Sequence, residues 1–261
     1  MNFSSLLGIA CALAVFLISV FTATPSREIF LDPHAILIVI GGTLAASLIC
    51  FPMKTLATLF KVFFQKILGQ YSSRNEVVLR EIVDLAKGHR ADPNYLTNQA
   101  ANIKTPFLRE AIELMNKGGM TPQALDSILR KRALTHYKRY EKEANIFKTI
   151  GKFPPAFGLM GTTLGMISLL QSLGSPDSFK KLGPAMAIGL VATLYGIALT
   201  NLVLVPIGEN LTKLNEEDEI LREMVMDGIK VIRAQEHHLV VEEHLKSYLL
   251  PSERLRLEKA A

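Results

Sequence analysis

Only two cysteines occur in the 261 residues. Cys11 and Cys50 each lie inside an apolar run where nothing pairs them by oxidation, so both are expected to be small buried hydrophobes. The motifs of catalysis are missing as well: there is no Walker-type glycine-rich loop, no HExxH, no GxSxG and no cysteine pair at metal spacing. Neither an enzyme nor a bound cofactor is expected. The one group rich in metal-ligand types, His237, His238, Glu242, Glu243 and His244, has no closed tetrahedral spacing and reads as the solvent face of a helix. Charge, finally, is absent from four long stretches of the chain, and with it any intramembrane carboxylate.

Those stretches are residues 3–23, 35–53, 153–173 and 182–207, each long enough to cross about 30 Å of hydrocarbon as a helix. The first lacks a positively charged leading segment and is too long for a signal-peptide core, so it reads as a span. With 49% apolar residues, the fold class is an all-α polytopic membrane protein with four transmembrane helices and a helical cytoplasmic domain. The expected division is spans one and two in 1–53, a cytoplasmic domain in 54–150, spans three and four in 151–207, and cytoplasmic helices in 208–261. The net charge of +5 is unevenly spread: residues 53–149 hold seventeen Lys or Arg against nine acids, residues 208–261 eight against twelve. Lys54, Lys61 and Lys66 after one span, with Lys138, Arg139, Lys142, Lys148 and Lys152 before the next, place that loop and both termini in the cytoplasm. Topology and anionic lipid account for this basicity without nucleic acid.

The loop and tail have helical periodicity. Ser73 and Glu76 form a capping-box pattern before an apolar face of Val78, Ile82, Leu85 and Ala86 that runs to Gly88. Thr105-Pro106 opens a helix with Leu108, Ile112 and Met115 on one side, and Thr121-Pro122 opens a third that runs to about Ile150. Beyond Pro206 the last span continues as a soluble helix with Leu211, Leu214, Leu221, Val225, Ile229 and Ile232 aligned. A final short helix over 240–250 stops at Pro251.

Between the third and fourth runs, Gly174, Ser175 and Pro176 make a turn, with Asp177, Lys180 and Lys181 the only charges. Small residues recur at helical spacing along this hairpin: Gly161 with Gly165, Ala185 with Gly189 and Thr193, and Ala192 with Gly196 and Thr200. Such rows allow close backbone approach, so these spans are expected to pack on other helices. Thr162, Thr163, Thr193 and Tyr195 bring hydroxyls to membrane depth, and Pro155 and Pro206 each leave a carbonyl one turn earlier without its usual donor. Two readings stand side by side: uncharged oxygens lining an ion path, or ordinary membrane-helix threonines bonded one turn back. Asp32 reads as the N-cap of the second span, with Pro33 just inside.

The segment PAFGLMGT from Pro155 to Thr162 with Leu164-Gly165, then GPAMA from Gly183 to Ala187, TLYG from Thr193 to Gly196, Asn201 and Pro206, resembles the paired signatures of the MotA/PomA family. These are the ion-channel stator subunits of the bacterial flagellar motor, within the MotA/TolQ/ExbB superfamily. Asp32 followed by ILIVIGG also resembles the family's second span, including its acidic outer residue. The resemblance implies an inner-membrane subunit that conducts sodium, or alternatively protons, through a path involving Thr162, Thr193, Pro155, Pro206, Tyr195 and Asp32. Helix packing falls to Gly161, Gly165, Gly189 and Gly196. Thr162 stands where sodium-type members commonly carry threonine and many proton-type members alanine.

Ion coupling generally needs a carboxylate inside the membrane, and these runs have none. The resemblance implies that a MotB/PomB-type single-span partner brings it, surrounded by a homo-oligomer thought to be five around two. It also implies contact with the rotor protein FliG through the segment 85–99, in which Arg90 falls on the family's arginine. Ala91, Pro93 and Asn98 depart from the family's Lys, Gly and Glu there. An ExbB/TolQ-like or gliding-type subunit that drives a non-flagellar load is the alternative within the superfamily, although its ExbB/TolQ members typically have three spans. A passive membrane anchor is the alternative outside it.

Overall fold

The computed structural model describes all residues except 1–2, 24–26, 59–73, 173–177 and 261. Ser73, Lys61, Lys66 and the turn residues Gly174, Ser175, Pro176 and Asp177 lie outside the described residues. Among the described residues the secondary structure is helical, with no strand. The chain forms two compact units, Met1–Gln70 with Glu141–Thr212 and Tyr71–Tyr140 with Lys213–Ala261.

The first unit is apolar. Helix α1 is Phe3–Ala23, and a short 3-10 turn, Arg27–Phe30, follows. Helix α2 opens at Pro33–Ile36, widens through a π-helical Leu37–Gly41, and ends as Gly42–Cys50. Among the described residues three helical segments are long and apolar enough to cross a membrane, lying within Glu28–Cys50, Pro122–Gln171 and Leu182–Arg233; the apolar part of α1, Ala10–Thr22, is shorter. Cys11 and Cys50 are exposed, not buried as expected. A helix apolar on all sides gives no sign in sequence of which side meets lipid.

The second unit has a conventional core. Helix α3 (Arg74–Ala91) passes through Gly88 instead of ending there, and the ring of Tyr95, from the short α4 (Tyr95–Gln99), lies against that glycine. Helix α5 (Pro106–Asn116) begins at Thr105 as its sequence suggests, but the threonine side chain makes no cap hydrogen bond. The cap comes from Glu81 of α3: Oε1 accepts from Lys104 N–H at 2.8 Å, and Oε2 from Thr105 N–H at 3.2 Å and Thr105 Oγ1 at 2.6 Å. A carboxylate there also meets the positive end of the helix dipole. Helix α6 is Pro122–Ile150.

Helices α7 (Phe153–Ser172) and α8 (Ser178–Ala198) make the hairpin, and a π-helical Leu199–Leu204 leads into α9 (Val205–Arg233). All the apolar positions read from α3 and α9 are buried, as are Leu108 and Ile112 of α5, with Met115 packed against them. Helix α10 (His238–Lys246) is capped by His237, whose Nδ1 accepts from Leu239 N–H at 3.3 Å. Pro251 does not end the helical structure; it opens α11 (Pro251–Ala260), which buries Leu257. Proline fits the first turn of a helix because the N–H it lacks has no partner there.

Candidate functional site

The hairpin is close-packed through glycine. A methyl on Gly165 would fall 2.7 Å from Ala185 O, one on Gly189 2.9 Å from Thr162 Cα, and one on Gly196 2.5 Å from Pro154 O. On Gly161 it would meet Ala192 Cβ at 2.5 Å. Only side-chain-free positions allow this approach, and it brings four oxygens together at mid-hairpin. Thr162 Oγ1 and Thr193 Oγ1 are 2.5 Å apart, with either able to donate. Thr162 Oγ1 is also 3.2 Å from Gly158 O and 3.0 Å from Gly189 O, and Thr193 Oγ1 is 3.2 Å from Gly158 O. Two hydroxyl protons serve this group, so its lone pairs outnumber its donors. It is half-buried and carries no charge. The bond one turn back from Thr162 to Gly158 coexists with the cross-helix set, so the two sequence readings describe one arrangement.

Pro155 differs from expectation. The carbonyl one turn before Pro155 belongs to Gly151, and it is not open: Thr200 Oγ1 donates to it at 2.8 Å, in a buried position. Sequence reasoning placed Thr200 only in the small-residue row. Counting four residues back from Pro155 identifies the orphan acceptor, but its donor is 49 residues away in sequence. Pro155 Cα lies 3.1 Å from where a Gly196 methyl would be, so this proline braces the hairpin. Pro206 is the second residue of α9, immediately after the π-helical segment and apart from the threonine pair.

Asp32 is an N-cap. Its Oδ1 accepts from His34 N–H at 2.8 Å and Ala35 N–H at 3.0 Å, and the His34 ring is 3.8 Å away. Tyr195 donates its phenol to Phe30 O, two residues before Asp32. The structure thus brings together Thr162 with Thr193, and Tyr195 with the loop that carries Asp32. Arg90 is in the other unit, exposed in the last turn of α3.

A family model described as the MotA/TolQ/ExbB proton channel family matches residues 99–224. The uncharacterized protein YtxD of Bacillus subtilis is 32% identical over 77% of this chain and 72% of its own length. The chain belongs to the MotA/TolQ/ExbB family. On the MotA side of that family, the chemotaxis protein PomA of Vibrio alginolyticus is 29% identical, covering 97% of this chain and 98% of its own length. The fold matches a chain of the flagellar MotAB stator complex from Bacillus subtilis with a TM-score of 0.84 at 25% identity, over 97% of this chain and 98% of that one. The MotA/TolQ/ExbB assignment makes this a membrane channel subunit and not an enzyme.

Proposed function

We propose that the chain is the four-span, ring-forming subunit of a flagellar stator in the inner membrane, with both termini cytoplasmic, and that it couples sodium flow to torque. A MotB/PomB-type single-span partner supplies the intramembrane aspartate, five copies of this chain surround two of the partner, and the surface around Arg90 works on FliG. The observation that carries this reading is the Thr162–Thr193 oxygen cluster: two hydroxyls and two carbonyls, with no charge of their own, offer a partly dehydrated hard cation replacement ligands. Similarity to PomA and to a MotAB chain supports the load and the partner. Asp32 keeps Oδ2 outside its capping bonds, so the N-cap also serves as a carboxylate at the mouth.

The test is motor speed in tethered cells that carry this subunit and its partner, with external sodium stepped from near zero to saturation at fixed pH and membrane potential. Speed is expected to rise and saturate with sodium. A sodium-independent speed reassigns the ion to protons, and absence of rotation with normal assembly overturns the flagellar load.

A further inference from the structure

Three residues before the start of α2 point differently. Ile29 and Leu31 are exposed, Leu31 by 72%, whereas Phe30 turns inward against a buried cluster of Ala35, Val39, Val191 and Ala192 that also packs Tyr195. The phenol of Tyr195 then donates to the Phe30 carbonyl, a hydrogen bond that links positions 165 apart in sequence. Asp32 follows immediately, its Oδ1 committed to the first N–H groups of α2. The carboxylate's position is therefore set by where α2 begins, and α2 begins where Phe30 is held. One short segment of α8 does both jobs: Thr193 faces Thr162, and two residues later Tyr195 holds the mouth loop.

We propose that Tyr195 is a positioning residue that acts through Asp32, setting how strongly the mouth attracts the coupling ion. This rests on the ion-driven reading above. The ring packing fixes the loop's depth and the phenol fixes its rotation, so Tyr195→Phe retains the first and removes the second. The freed loop spreads Asp32 over more orientations and lowers the cation concentration it sustains at the path.

The experiment is the same sodium titration of motor speed, with external pH as the variable if wild-type speed ignores sodium. It is run on wild type, Tyr195→Phe, Asp32→Asn and the double variant, with the amount of assembled complex measured for each. Tyr195→Phe is expected to raise the half-saturating ion concentration roughly three- to tenfold, with a much smaller change in saturating speed and normal assembly. In the Asp32→Asn background it is expected to add nothing. An unchanged half-saturation in Tyr195→Phe, an additive effect in the double variant, or a loss of saturating speed that tracks lost complex overturns the positioning role. A wild-type motor that responds to neither ion refutes the ion-driven reading itself, which separates the two failures.

Discussion

Gly196→Ala isolates what holds the hairpin together. The added methyl would stand 2.5 Å from Pro154 O, 2.9 Å from Pro154 C and 3.1 Å from Pro155 Cα. All three are backbone atoms of consecutive prolines, so no rotamer change relieves the contact. Restoring ordinary van der Waals distance requires α7 and α8 to part by about 1 Å, in an interior with little free volume. Overpacking of this kind costs about 1–3 kcal/mol. The comparison is Gly8→Ala in α1, which precedes no proline and where nothing lies within 4 Å of the new methyl. There the change gains up to about 1 kcal/mol of helix propensity, so the two alanines differ in sign. The assay is unfolding of the detergent-purified protein by titration with sodium dodecyl sulfate, followed by far-ultraviolet circular dichroism. Equal midpoints for the two variants would refute the close backbone packing described here.

Thr200→Val leaves the buried Gly151 carbonyl without its donor and is expected to destabilise by about 1–3 kcal/mol in the same titration, while Thr200→Ser retains most of the stability. Glu81→Ala removes three hydrogen bonds from the start of α5; hydrogen exchange is expected to show α5 amides losing protection by a factor of about ten or more. Burial pushes the Asp227 carboxyl up, but hydrogen bonds from Lys230 Nζ at 2.7 Å and the Tyr248 phenol at 2.6 Å, with the charges of Lys230 and His244, outweigh it and hold the group below its ordinary value. A depressed carboxylate contributes stability that is complete above its unfolded pKa and lost as pH falls through the lower, folded one. Protection of α10 amides is therefore expected to fall below about pH 4, and Asp227→Asn to flatten that dependence.

The hairpin, the second span and the faces of α3, α5 and α9 were legible because each follows from hydrophobic period or from unbroken apolar length. Pro251 was misread because proline both stops and starts helices, and only the burial of Leu257 decides between them. The short α4 follows Pro93 in a segment with no period to detect. Thr162 and Thr193 stood out as hydroxyls in apolar runs, yet the two glycine carbonyls that complete their cluster have no side chain to announce them. The donors to Gly151 and Phe30 are 49 and 165 residues away, which local patterns do not reach. The α5 cap is hidden for the same reason: Thr105 occupies the cap position, but Glu81 supplies the oxygens.

Gly196 on Pro154, Gly189 on Thr162 and Gly165 on Ala185 are spaced along the length of the hairpin, all with backbone atoms as the opposing surface. An axial slip of α8 past α7 by one residue, about 1.5 Å, would drive side chains into all three contacts and part Thr162 from Thr193 at the same moment. The pair of helices therefore has no intermediate notch and behaves as a single shaft. The regular α-helical ladder is interrupted at two joints of this shaft, Gly151 with Lys152 between α6 and α7, and the π-helical Leu199–Leu204 after α8. A hydrogen bond from Thr200 to Gly151 connects those two joints, so bending at one is felt at the other.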